Sequence, residues 1–542
     1  MRKLVFLLFL FTLALQAQIP QNAPWMIAND SVSRVAELTY DQMVANAQTY
    51  FNAIDINKKG SGYKPFKRWE YHWDFYKQSD GSIAPASLLW DAWRQKQEMS
   101  QNQNNRSTQV VSNWQSVGPY SFTDTGSWGA GQGRVNCVTV DPNNPNIYYV
   151  GAPVGGIWKT TDAGITWTAL TDYLPQIGVS GIAVDPSNSN ILYITTGDDD
   201  AGDSYFVGVK KSIDGGITWN DTGALGGETA NEIYIDPTNS QIIWVATSSG
   251  LYKSINGGTT WAMKRLGNIK DFKLKPGDPN TIYAVSTSAF YKSTNGGTNF
   301  STISNGLPSS SSRLTIDVTP ANPEYVYVLS AVGNAFQGVY KSTNSGTNFT
   351  KTLESDDIFD GSSQAWYDMA LGVSNTDANT LFVGVLNVWK STDGGNNFNR
   401  INTWNADSEP AYTHADIHFL RYYNGVLFAG TDGGIYRSVN NGNSFTSLTT
   451  GLAIGQFYRI SVAKQSAQNV VGGLQDNGGY ARSNNQWYNY HGADGMDAAV
   501  NPMNKNQYYG FIQYGGALYK TENGGESSSY VAEGPVSGNW VT

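Results

Sequence analysis

Thr160-Thr161-Asp162-Ala163-Gly164-Ile165-Thr166-Trp167 is one statement of a phrase that recurs along this chain. It returns as Ser212-Ile213-Asp214-Gly215-Gly216-Ile217-Thr218-Trp219 and as Ser254-Ile255-Asn256-Gly257-Gly258-Thr259-Thr260-Trp261. Further copies run over Ser293 to Phe300, Ser342 to Phe349, Ser391 to Phe398 and Ser438 to Phe445; a worn one, Thr521 to Ser528, lacks the closing aromatic. An aromatic-basic pair precedes most copies, as at Trp158-Lys159, Tyr252-Lys253 and Tyr436-Arg437. The Asp or Asn can accept backbone N–H bonds inside its own turn. The Gly permits a positive φ that a side chain would resist, and the Trp or Phe opens a strand and can pack between neighbouring sheets. The phrase therefore reads as a hairpin clip between the third and fourth strands of a repeated unit. A period of about 40–50 residues belongs to an all-β β-propeller, one repeat per four-stranded blade. On this reading Asp162, Asp214, Asn256, Asn295, Asn344, Asp393 and Asn440 are structural turn residues and not catalysts.

Working outward, the first unit takes Val135 to Val140, Ile147 to Val150, Gly156 to Lys159 and Thr166 to Leu170 as strands. Later units open near Val179, Asn231, Lys270, Arg313, Tyr367, Asp416, Tyr458 and Met496, which makes about nine. The eighth has a shortened clip, Ser483-Asn484-Asn485-Gln486. Single propellers close with about four to eight blades. The expectation is a seven-bladed ring over 113–452 and further units of a second propeller over 453–542, with one larger ring as the competing arrangement. Gly538 to Thr542 reads like the entry to another unit, so the sequence is expected to be a piece of a longer protein.

The N-terminal region differs. Arg2 and Lys3 precede an apolar run, Leu4 to Leu15, so 1–17 reads as a secretory signal. Residues 18–112 read as a helical leader and polar linker. Thr39 to Ile54, Lys64 to Lys77 and Ser87 to Met99 have helical spacing, and the aromatic stripe of the second is expected to dock on the propeller. The net charge of −9 argues against a nucleic-acid partner, and no stretch after the signal is apolar enough to span a membrane. Cys137 is the only cysteine, so no disulfide forms within the chain.

The repeated phrase is identified as the Asp-box, or BNR repeat, which resembles the boxes of sialidases, sortilin-type receptors and family-74 glycoside hydrolases that cut xyloglucan. Lys64 to Tyr71, Gly151-Ala152-Pro153-Val154-Gly155-Gly156-Ile157-Trp158-Lys159, Trp366-Tyr367-Asp368 and Gly473-Leu474-Gln475-Asp476-Asn477-Gly478-Gly479 resemble stretches of large secreted proteins of Bacteroidota, often exported by the type IX pathway. That likeness implies export machinery acting through a C-terminal sorting domain that this sequence does not contain. The sialidase arginine triad and Arg-Ile-Pro signature are not found. The family-74 likeness implies two carboxylates across a cleft. The acid falls at Asp476, but the position of the base is Ala152-Pro153, which carries no proton. Asp432 and Asp497 are the alternative carboxylate partners.

Two other clusters carry chemistry. His414-Ala415-Asp416-Ile417-His418 alternates, so its polar residues are expected on one side of a strand, and with His491 and Asp494 they form a candidate binding face. Asp198, Asp199, Asp200 and Asp203 could wrap a Ca²⁺ ion, the only cofactor the sequence suggests. Together these readings describe a secreted or cell-surface propeller that binds a polysaccharide or an extracellular protein without catalysis. The alternative is a xyloglucanase-like hydrolase.

Overall fold

The computed structural model describes residues 38–56, 61–83, 88–102, 115–175, 177–227 and 229–534. The expected signal segment and residues 103–112 of the expected linker lie outside them. The chain divides into two compact units, Met1–Pro85 and Ala86–Thr542.

The first unit holds helices α1 (Tyr40–Asn52) and α2 (Tyr63–Asp74). Thr39 starts α1 with a reciprocal cap, its hydroxyl accepting from Gln42 N and its own N–H donating to Gln42 Oε1. Met43, Ala47 and Phe51 recur on one face of α1 and bury against Phe66 of α2. Tyr40 stacks on Trp69 at 5.7 Å between ring centres. Phe66 and Trp69 of the α2 stripe thus pack on α1.

The second unit begins with helix α3 (Leu88–Asn102), which sequence reasoning grouped with the leader. Trp90 is buried beneath the Lys210 ammonium, 3.8 Å from its ring centre, and Arg94 pairs with Asp221 at 3.0 Å. These contacts fix α3 on the second of nine sheets.

Those nine sheets, counted among the described residues, each contain four consecutive antiparallel strands, which cover 137–169, 179–221, 230–266, 271–303, 313–351, 370–400, 417–447, 457–491 and 495–532. They are numbered 1 to 9 below. The clips behave as their chemistry requires. Asp162 Oδ1 accepts from the N–H groups of Ile165 and Thr166 at 3.1 and 2.9 Å, and Oδ2 from the Thr166 hydroxyl at 2.6 Å. Those bonds, the Thr166 hydroxyl foremost, hold its carboxyl down at about 2. In sheet 8 the clip shrinks to Asn484-Asn485, both at positive φ (51° and 63°), which suits a two-residue hairpin.

The basic residue before the clips of sheets 1 to 6 reaches the following sheet. Lys159 Nζ bonds Gly215 O, Lys211 bonds Gly257 O at 3.1 Å, Lys253 bonds Gly296 O at 3.0 Å, and Lys390 bonds Asn441 O at 2.8 Å. Arg437, in sheet 7, turns back to sheet 1, donating to Tyr148 Oη at 3.1 Å and Ala163 O at 3.4 Å. Trp167 Nε1 of sheet 1 likewise donates to Leu448 O at 2.9 Å, and Tyr148 meets Phe428 edge-on at 5.0 Å. Lys292 bonds Thr347 Oγ1 at 3.1 Å and Lys341 bonds Asn379 Oδ1 at 2.9 Å, linking sheet 4 to 5 and 5 to 6, so sheets 1 to 7 close a circuit. Arg482 of sheet 8 instead bonds Gln468 within its own sheet, and sheets 8 and 9 share the buried Val471, Ala481, Tyr490 and Tyr508.

One segment departs from the sequence reading. Residues 115–131 were assigned to the first ring. The backbone instead lays Thr123–Asp124 parallel to Tyr488–Asn489 of sheet 8, and Phe122 meets Tyr480 at 5.4 Å. It then enters sheet 1 past Gln132, whose Nε2 donates to Leu452 O at 2.6 Å. The chain thereby fastens sheet 8 to the face of the ring.

Candidate functional site

In a sheet of consecutive antiparallel strands, the entry to the first strand and the turn after the second open on the same face. Arg134, Arg313, Asp368 and Asp416 occupy entries; Asp198, Asp432 and Asp476 occupy turns. Seven charged groups from sheets 1, 2, 5, 6, 7 and 8 thus converge where sheet 8 covers the ring.

Arg134 is buried, and its Nη2 bonds Asp198 at 2.6 Å and Asp203 at 3.0 Å while Nη1 donates to Tyr367 Oη at 3.0 Å. Tyr367 donates in turn to Asp432 Oδ2 at 2.6 Å. His418, with no exposed side-chain surface, bridges Asp200 (Nδ1, 2.7 Å) and Asp432 (Nε2, 2.8 Å). Burial opposes its charge, but the two carboxylates raise it to about 10, so it stands there as imidazolium. Burial likewise opposes ionisation of Asp200 and Asp432, yet the His418 charge outweighs it and holds both below the usual carboxylate range.

Asp476 sits half-buried in the turn between Leu474 and Gly478, at a positive φ of 53°. Burial first, then the nearby Asp494 charge, push its carboxyl well above the usual range, and it shares a hydrogen bond with Asp432. Asp494 Oδ1 accepts the Asp476 N–H at 2.9 Å. Asp416, also at positive φ (58°), is raised to about 7 by burial and by Asp432. One oxygen each of Asp416, Asp432 and Asp476 lies within 4.8 Å of the others.

The structure corrects the alternation expected for 414–418. The strand begins only at Ile417, and a register shift falls between Ile417 and Phe419. Three residues therefore point three ways. His414 bonds Gly129 O at 3.0 Å and burial lowers its pKa, Asp416 faces Asp476, and His418 turns to Asp200. His491 stands apart from them, stacked on Tyr519 at 5.1 Å, with burial lowering it to about 4. Asp497 is part-exposed beside Arg459 at 3.5 Å. Asp198, Asp199 and Asp200 do offer oxygens within 4.8 Å of one another, but Asp198 and Asp203 are joined to Arg134, and Asp200 to Arg313 and His418. Asp199 is raised to about 7 by burial and by Asp200. It lines a polar cavity of about 90 Å³ in the channel of the ring, with Asn136, Lys270, Arg313 and Arg421.

Sequence reasoning missed Arg134, Arg313 and Gln364, whose Nε2 donates to Asp416 Oδ1 at 2.7 Å, as members of this cluster. Trp366-Tyr367-Asp368 was marked by resemblance alone, and nothing in its composition announced that Tyr367 would join Arg134 to Asp432.

Comparison with known proteins gives one consistent sequence likeness. The chain is 30% identical over 151 residues to a xyloglucanase of Hypocrea jecorina (strain QM6a), covering 25% of this chain and 18% of that protein. It is 26% identical over 160 residues to a xyloglucanase of Paenibacillus sp, covering 27% and 16%. The matched stretch is less than a fifth of either relative. No family model matches the chain. Among solved structures, a GH74 enzyme of Niastella koreensis is 17% identical with a TM-score of 0.48, covering 76% of this chain and 73% of that one. PorZ, a surface component of the type-IX secretion system of Porphyromonas gingivalis, is 16% identical with a TM-score of 0.47, covering 76% and 53%. The chain is thus a β-propeller with sequence likeness to xyloglucanases.

Proposed function

We propose that this protein acts on a polysaccharide outside the cell in the manner of the xyloglucanases it resembles, with Asp476 as proton donor. The observation that carries the reading is Asp476 itself, a half-buried carboxyl on the turn where sheet 8 meets the ring, in a chain whose sequence likeness is to xyloglucanases. A glycan lying along that face would receive the Asp476 proton on its glycosidic oxygen as the bond to C1 breaks. Water would add to C1 and give up a proton to a second carboxylate. Burial first, then Asp494 and Asp432, raise the Asp476 carboxyl, the direction an acid catalyst needs.

A second reading, glycan binding without cleavage, rests on two particular facts. Ala152 and Pro153 stand where the base is expected. Asp432, at most 4.8 Å from Asp476, is too near to flank a glycosidic bond with a water between, which takes about 6.5–9.5 Å. The test is hydrolysis and retention measured side by side on xyloglucan and other β-glucans, with Asp476→Asn as the paired variant. Oligosaccharide release that the variant abolishes supports hydrolysis. Retention on the glycan with no release establishes the binding reading in its place. Neither release nor retention overturns both and leaves an extracellular protein as the ligand class to examine.

A further inference from the structure

We propose that the polar cavity in the channel of the ring binds a small zwitterion of the α-amino-acid class, its ammonium held by Asp199 with the Asn136 and Asn231 amide oxygens and its carboxylate held by Lys270. All four residues line that cavity. Its volume of about 90 Å³, at about 10–15 Å³ for one water, admits a ligand of a few heavy atoms.

The charges that line the channel leave two groups unmatched. Asp200 pairs with Arg313 at 3.2 Å and with His418 at 2.7 Å, Glu232 pairs with Arg421, and Asp271 pairs with Lys273. Asp199 and Lys270 remain. Among the described residues neither side chain has a hydrogen bond or an ion pair, and they do not pair with each other. Burial lowers the Lys270 ammonium, and Asp199 is the opposite charge that acts on it most strongly. Burial and Asp200 raise Asp199 to about 7, against the pull of Lys270. A buried charge without a counter-charge beside it is costly.

Two amides add unmatched acceptors. Asn136 is 8% exposed, and its Nδ2 donates to Asp198 Oδ1 at 3.0 Å, which leaves its Oδ1 buried with no partner. Asn231 Nδ2 donates to Ile269 O at 2.5 Å, and its Oδ1 is likewise buried without a donor. A primary ammonium carries three N–H donors, the number that Asp199 and the two amide oxygens lack. A carboxylate one carbon away accepts from Lys270 in a charge-assisted bond. A cation alone would leave Lys270 unmatched, an anion alone would leave Asp199 unmatched, and a neutral polyol would bring a counter-charge to neither.

The readout is binding, so the inference stands or falls apart from hydrolysis at Asp476. The full chain is titrated at pH 7 by calorimetry with glycine, and in parallel with sodium acetate, methylammonium chloride and D-xylose. The expected result is one saturable site for glycine, with each of the other three at least tenfold weaker. Glycine affinity should fall at least tenfold in Asp199→Asn and in Lys270→Gln and stay unchanged in Asp476→Asn. Asp199→Asn keeps the shape of the side chain, so a folded variant is in hand even if Lys270→Gln fails to fold. Absence of saturable glycine binding overturns the proposal and leaves water as the occupant of the cavity. Acetate, methylammonium or xylose binding as tightly as glycine overturns it too, as does glycine affinity unchanged in Asp199→Asn.

Discussion

Replacing Arg134 by Met tests whether the charge network at the face of the ring stabilises the fold. The guanidinium is 2% exposed and Asp198, its main partner, 0%. Taking one member from a buried pair leaves the other charge uncompensated and costs about 3–5 kcal/mol. Asp198 would keep the Asn136 amide at 3.0 Å and the N–H groups of Ala201 and Asp203 at 3.2 and 3.0 Å, which places the loss at the lower end. Unfolding entropy of about 2.1 cal/mol/K per residue, over roughly 420 residues of propeller, converts 3 kcal/mol into a Tm lower by about 3–4 °C. The assay is thermal unfolding by tryptophan fluorescence at pH 7 and again at pH 4.5. Burial already raises the Asp198 carboxyl with Arg134 beside it, and loss of the guanidinium, which lowers it, raises it further. The added penalty applies where Asp198 is ionised and fades as pH falls and the carboxyl takes up its proton, so the deficit should shrink at pH 4.5. A Tm within about 1 °C of the parent at pH 7, or an equal deficit at both pH values, would refute the reasoning.

Two further outcomes follow from neighbouring groups. The Asp199 carboxyl is raised to about 7 by burial and by Asp200, so its favourable contribution is complete below about pH 4 and lost as pH rises through 7. Asp199→Asn should accordingly raise Tm at pH 8 and leave it nearly unchanged at pH 4, as read by calorimetric scans. Arg437→Met removes the contacts that return sheet 7 to Tyr148 and Ala163 of sheet 1. A charged hydrogen bond of this kind contributes about 1.5–3 kcal/mol. Amide exchange should quicken first along Tyr148 to Ala163, and uniform quickening over all sheets would count against a seam there.

The repeat was legible because each clip meets its needs locally. Asp162 bonds its own turn through atoms three and four residues away, so a short pattern suffices to find it. The latches were half-legible. The sequence displays a basic residue before each clip, but only the fold discloses that Lys211 and Lys253 serve the next sheet and that Arg437 reaches the first. Residues 115–131 were misassigned for the opposite reason. Thr123 and Asp124 pair with Tyr488 and Asn489, more than three hundred residues later, and no periodicity records such a partnership.

The site repeats that division at the level of single side chains. Asp476 was found through the stretch around it. Its environment is set by Asp432 from sheet 7 and Asp494 at the entry to sheet 9, and neither lies in the motif. The reading of 414–418 failed because alternation presumes an unbroken strand. Asp416 sits at a φ of 58° outside the strand, so His414 and His418 diverge. That same irregularity has a chemical consequence. It turns Asp416 toward Asp432 and Asp476 while leaving His418 to neutralise Asp200 and Asp432 from the other side. A regular strand would have offered two imidazoles and a carboxylate, a donor set for a softer metal. The irregular one brings carboxyl oxygens together in a buried place, and burial with the neighbouring charges raises the hold of Asp416 and Asp476 on a proton.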